Sequence, residues 1–382
     1  MEVAQDIETL IERLETATKQ LKKAKSAEER AALGNYIYNL YESIGVIANV
    51  PMYVTEKTVF GSHKNYRKFY KKAFISNDRI LKNFFESREY HQWMLGNIIN
   101  DISGPLDEWV DSQFGCNEQI SKGEFFEIFS SFLNSLKLGK EFDKFIKNVG
   151  IYSYDSELKE DSSGYMLHNP LTKDTDVFIG DFGYNVATLS TLAHEFGHVY
   201  DFSKFNGDIH DYNSFLHRSM YLEVLSKLFE RLLIDYLMDN NIMVDDAKDE
   251  LLKLKYNGYT TFVTSYVVNS LDYEMLKKHR QDKYSKDYIY SFIKNDFEES
   301  IKYMLEDVGT LDVRDNYIYA YGDIISMFLK EFIDKYGFDN DMLVEFFERR
   351  KDIFSIEYLD KYDVTPEGYS EGYQKELKLL QK

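Results

Sequence analysis

Helix breakers are scarce in this chain. Four prolines, Pro51, Pro105, Pro170 and Pro366, are spread over 382 residues. The long segments between them repeat apolar residues every three or four positions, the period of a helix with one buried face. Ile7, Leu10, Ile11, Leu14, Ala17 and Leu21 make one such stripe, and Phe125, Phe129, Phe132 and Leu136 make another. The spacing therefore predicts a mainly α fold, a large helical body in which most of the 31 Tyr and 28 Phe are packing material. No internal repeat or low-complexity tract interrupts it.

One region departs from this pattern. Between Gly164 and Gly183, glycine, proline, asparagine and aspartate punctuate short alternating runs. Gly164-Tyr165-Met166-Leu167 and Asp176-Val177-Phe178-Ile179-Gly180 read as two strands, with His168-Asn169-Pro170 opening the turn region between them. A small antiparallel sheet is expected here, and it is the only sheet of note. The polar run from Asp155 to Ser163 suggests a boundary. The expected organisation is an N-terminal helical lobe over 1–160 and a second region over 161–382, with a cleft between the lobes.

Charge and cysteine usage narrow the function classes. Lys plus Arg number 46 and Asp plus Glu 65, a formal balance of −19. A chain this acidic has no sequence-wide attraction for phosphate backbones or anionic lipid, so neither nucleic acid nor membrane is expected as a partner. The same charge suits either cationic peptides or simply a soluble acidic surface, the second being the commoner reason for it. Cys116 is the single cysteine; no internal disulfide can form, which fits a reducing compartment. The segment Met1-Glu2-Val3-Ala4-Gln5-Asp6 carries acids where a signal peptide needs a basic start and an apolar run. Nor does any stretch reach the ~18 apolar residues of a membrane span. A cytoplasmic location is the expectation.

The chemistry concentrates in Ser190-Thr191-Leu192-Ala193-His194-Glu195-Phe196-Gly197-His198-Val199-Tyr200. On a helix, residues four apart share a face, so His194 and His198 can aim both imidazoles at one zinc ion while Glu195, one position round, holds a water. A catalytic zinc takes three protein ligands and keeps one position open. The spacing in which a glycine and a third histidine follow closely is absent, because Asp201 and Lys204 occupy those places. Glu223 is the strongest third-ligand candidate. It begins a helical run in which Ser219, Glu223, Ser226 and Glu230 share one stripe, flanked by Leu222, Leu225, Phe229 and Leu233. A polar line on an otherwise apolar helix faces either water or a buried polar site. His210 and His217 are rival ligands, the first in a loop-like stretch, the second on the Glu223 helix but about 120° away.

These segments resemble the oligoendopeptidase F branch of the thimet-oligopeptidase family of zinc peptidases. Thr191 to His198 is similar to that family's zinc helix. Glu223-Val224-Leu225-Ser226-Lys227-Leu228-Phe229-Glu230 is similar to its third-ligand helix, and Tyr317-Ile318-Tyr319-Ala320-Tyr321 to its tyrosine-rich segment. The ending from Tyr362 through Pro366 and Glu367 is similar to its closing helix. Two places depart from the pattern. Leu311-Asp312-Val313-Arg314 stands where relatives carry a histidine, and Glu348-Arg349-Arg350-Lys351-Asp352 replaces a glycine-rich loop.

The resemblance implies one zinc ion per chain on His194, His198 and Glu223, with Glu195 as the base, and hydrolysis of internal bonds in short peptides. It also implies hydrogen bonds to the transition state from the tyrosine segment. Tyr317 and Tyr321 share a helix face and lead there, with Tyr319 a lesser candidate. The strand Val177-Phe178-Ile179-Gly180 is expected to take an extended peptide by edge addition. Two other readings stand beside this one: a toxin-like zinc endopeptidase with a single protein target, and a catalytically inactive peptide-binding relative.

Overall fold

The structure is a computed structural model. It describes residues 2–26, 29–30, 32–34, 36–37, 39–40, 43, 87–102, 118–154, 164–168, 175–180, 183–205, 222–269, 283–285, 310–336, 359 and 364–380. The described elements are mainly helical, as the apolar spacing predicts. Chain contacts group the protein into two units, Met1–Arg79 with Gln119–Tyr212, and Ile80–Glu118 with Asn213–Lys382. Cys116, the rival ligands His210 and His217, the polar run 155–163 and the segment 348–352 lie outside the described residues.

The first unit contains α1 (Glu2–Leu21), α2 (Lys122–Ser135) and α3 (Lys140–Ile146), then strands β1 (Gly150–Tyr154), β2 (Gly164–His168) and β3 (Thr175–Gly180), and α4 (Val186–Phe205). The stripe expected on α1 is buried from Ile11 through Leu14 and Ala17 to Leu21, with Leu10 half-buried at its margin. Ser121 caps α2, its side chain accepting the Glu124 amide at 3.2 Å, so the helix begins where its first free N–H group finds a partner. The buried face of α2 then presents Phe129, which meets Phe196 of α4 edge-on with centroids 4.9 Å apart. Phe142 of α3 meets Tyr200 of α4 in the same way at 5.0 Å. Aromatic edges from two helices thus brace α4.

The sheet has the order β1-β3-β2 and is mixed: β3 pairs parallel with β1 and antiparallel with β2. Two sequence expectations are corrected here. The sheet is not purely antiparallel, because Gly150-Ile151-Tyr152-Ser153-Tyr154 supplies a third, parallel strand ahead of the expected pair. And β3, which contains Val177, Phe178, Ile179 and Gly180, is the central strand. Both its edges are taken by ladders, so a peptide cannot add to it. Its burial fits that place, since all six residues from Thr175 to Gly180 are buried. Phe178 is stacked between Tyr165 of β2 (4.9 Å, 15°) and Tyr152 of β1 (5.5 Å, 28°). Asp176, a charge on a buried strand, is paired with the Arg30 guanidinium at 3.0 Å.

The second unit contains α5 (Arg88–Ile102), α6 (Leu222–Asp239), α7 (Val244–Asn269), α8 (Val313–Tyr336) and α9 (Pro366–Leu380). It also has a short antiparallel pair, β4 (Lys283–Ser285) with β5 (Thr310–Asp312), a second sheet that the sequence reading did not anticipate. Val224, Leu225, Leu228, Phe229 and Leu233 of α6 are buried, as are Ile324, Ile325, Met327 and Leu329 of α8. Among the described residues, no helix is long and apolar enough to cross a membrane.

Candidate metal centre

The helix α4 starts where Asn185 caps it. The Asn185 Oδ1 accepts the Thr188 amide at 3.0 Å, and Thr188 Oγ1 donates to the Gly183 carbonyl at 2.7 Å. Val186, Leu189, Leu192, Ala193, Phe196, Val199 and Tyr200 bury most of its circumference, which fixes its rotation about its axis. His194 and His198 then project together. Their Nε2 atoms are 3.2 Å apart and their rings are nearly perpendicular, at 80°. Two imidazole nitrogens that converge in this way can serve one ion when both are unprotonated.

Glu195 is buried at 5% exposure. The start of β2 comes close to it: a Cβ on Gly164 would stand 2.8 Å from Thr191 Cγ2 and 3.3 Å from Glu195 Cγ. Glycine is needed at 164 because α4 and the strand approach each other more closely than a side chain allows.

Glu223 lies in the first turn of α6 and is 5% exposed. Its Oε2 lies 2.9 Å from the Ser226 hydroxyl, which is equally close to the Glu223 carbonyl. The polar stripe read from the sequence is a buried one, for Ser226 and Glu230 are buried with it. Lys227 reaches Glu230 at 3.0 Å. Burial works against its ammonium, but Glu230, Asp323 and Glu223 outweigh that and hold the pKa above its ordinary value. A cation therefore persists beside the Glu223 carboxylate. On the other side, α8 comes against the Glu223 backbone at Gly322, where a Cβ would be 2.7 Å from Glu223 Cβ and 3.1 Å from its carbonyl carbon.

The ligand atoms of His194, His198 and Glu223 lie within 4.8 Å of one another, and the three can hold a metal ion. Two imidazole nitrogens and one carboxylate oxygen form a donor set of the kind that zinc takes.

The tyrosine segment divides by environment. Tyr317 lies near the start of α8. Tyr321 is buried, and its hydroxyl is hydrogen-bonded to Nδ1 of His91 on α5. Tyr319 is 42% exposed, one of the few large apolar-bodied side chains among the described residues that reach the surface. His91 escaped the sequence reading. It is a lone histidine on a helix, and nothing in its neighbours distinguishes it from a core residue. Burial lowers its pKa to about 4, so the ring is neutral near pH 7. Gly322 and the carboxylates that anchor Arg231 of α6 also went unread. A single glycine in a helical run carries no local signal of what it touches.

No protein-family model, curated protein or solved structure matches this chain.

Proposed function

We propose that the protein is a zinc-dependent oligoendopeptidase that hydrolyses internal bonds of short peptides. The observation that carries this reading is the grouping of the ligand atoms of His194, His198 and Glu223, with the Glu195 carboxylate buried on the same helix as the two histidines. An ion held by these three would supply Lewis acidity and lower the pKa of a bound water. Glu195 is the base that takes the proton from the attacking water and delivers it to the departing amine, so the carboxylate is regenerated at the end of each turnover.

Two features of the surroundings refine the roles. Tyr319 is exposed and lies one helical turn before Gly322, which abuts Glu223. This supports Tyr319 as the donor to the developing oxyanion, ahead of the buried Tyr321. The extended substrate is assigned to the outer edge of β2. Among the described strands β2 pairs with β3 alone, and its first residue lies against Glu195.

The deciding experiment is digestion of a peptide pool, from about five to about thirty residues long, with one folded protein added. Products are read by mass spectrometry, and zinc content is measured on the same samples. Cleavage of the shorter peptides by the wild type is expected, with Glu195→Gln retaining zinc and losing about 10²–10⁴-fold in kcat. Cleavage of the folded protein alone would favour a single-target endopeptidase. A zinc-loaded wild type that cleaves nothing would leave a binding protein.

A further inference from the structure

The helices α6 and α8 run in the same direction, and three levels of contact fix how far one is advanced along the other. At the first, Gly322 seats on the backbone of Glu223. At the second, Arg231 Nη2 meets Asp323 Oδ1 at 2.7 Å and Arg231 Nε meets Ser326 Oγ at 3.2 Å. At the third, Lys330 meets Asp235 at 2.9 Å. The second level is built with unusual completeness. Arg231 Nη1 also holds Glu376 of α9 at 2.6 Å, and the other oxygen of Asp323 accepts the Tyr369 hydroxyl, again from α9, at 2.6 Å. Asp323, Arg231 and Glu376 are each buried, at 5%, 6% and 2% exposure.

Burying charges like these is expensive, and well-packed apolar residues of the same volume stabilise a core at least as well. What a forked, fully paired guanidinium adds is geometry. The apolar faces of α6 and α8 alone tolerate a slip along the helix axis, since ridges of Leu and Ile recur with every turn. The Arg231 pairing admits one position. Gly322 is the immediate neighbour of Asp323, so the position that satisfies Arg231 is the one that brings the glycine onto Glu223.

We propose that Asp323, through Arg231, is a positioning residue for Glu223. The buried pair sets the register between α6 and α8, and so the place of the carboxylate in the metal centre. The inference rests on the reading of Glu223 as a metal ligand. It extends that site's support to the C-terminal helix α9, which holds the same pair through Tyr369 and Glu376.

The test uses the full chain and zinc itself. Zinc affinity is measured by competition with a chromophoric chelator well below the melting temperature, and the visible spectrum of the cobalt-substituted protein reports ligand geometry. Asp323→Asn is expected to weaken zinc binding about tenfold or more and to shift the cobalt bands. Leu237→Ala, a core truncation at the far end of α6, should lower the melting temperature while leaving both readouts as in the wild type. If Asp323→Asn does not fold, Tyr369→Phe removes one hydrogen bond from the same carboxylate and should weaken zinc binding in the same direction by a smaller factor. Unchanged zinc affinity in the folded Asp323 or Tyr369 variant overturns the inference and leaves the metal centre standing. Equal weakening by Leu237→Ala also overturns it, because the effect would then be general softness of the core. A wild type that binds no zinc removes the metal centre and this inference together.

Discussion

His91 shows what burial does to a single group. In the folded chain the ring is neutral and takes its proton only near pH 4, whereas a histidine in the unfolded chain does so near 6.5. Between those values the unfolded state binds more protons, so this contribution to stability is fully present above about pH 6.5 and is lost as the pH falls toward 4. The size is of order 3 kcal/mol, because each tenfold change in proton affinity is worth about 1.4 kcal/mol. His91→Gln, which keeps a polar partner within reach of Tyr321, is expected to be less stable at pH 7 and to lose less on acidification. Chemical denaturation of both proteins at pH 7 and pH 4.5 checks this, and parallel losses would remove His91 from the acid response. The metal-centre residues obey the same logic in another form. Glu223 is tolerable in a buried place because Ser226 donates to it and the Lys227 charge is close.

Among the elements, β2 and α4 depend on each other through Gly164. A methyl at that position would stand 2.8 Å from Thr191, closer than Cβ contacts occur, and the neighbour it meets is a stiff β-branched side chain on a braced helix. The strand, rather than the helix, has to give way. Gly164→Ala is therefore expected to cost about 1–3 kcal/mol, the usual range for overpacking. On the proposed reading it also displaces the edge that receives the peptide. KM for peptide substrates should then rise by a larger factor than kcat falls, while zinc content stays at the wild-type level. A kcat loss with unchanged KM would detach β2 from substrate binding. Gly322 makes the matching approach between α8 and α6, so both elements that flank the metal-ligand helices do so at a glycine.

For the whole molecule, an ion held at the proposed centre would link metal binding to the fold. An ion that binds the folded chain and not the unfolded one adds RT ln(1 + [L]/Kd) to stability, about 2.7 kcal/mol at a hundredfold excess over Kd. Removing zinc with a chelator is expected to lower the melting temperature, and returning zinc should restore it in proportion to the logarithm of its concentration. A melting curve indifferent to chelator would count against a bound ion. Glu223→Ala should make the protein indifferent in this way, which ties the effect to the centre.

The local layer was legible from the residues. Stripes at three and four positions read out the helices, and His194 and His198 declare their shared face through spacing alone, with Glu195 one position round. The strand Thr175–Gly180 was legible as a strand and misleading as an edge, because alternation reports pleating and burial but not how many neighbours a strand has. The third strand, Gly150–Tyr154, went unread, because what makes it a strand is its pairing with β3, more than twenty positions away. The different exposure of Tyr319 and Tyr321 was not legible either, because a helical wheel gives the angle between two side chains, while the helices packed around them decide which is covered. The same holds for His91, Gly322 and the Arg231–Asp323 pair: their partners are more than ninety positions away. Periodicity and ligand spacing are properties of neighbouring residues, so sequence by itself determines them. Register, edges and exposure come from the close packing of distant elements, and only the tertiary structure decides those.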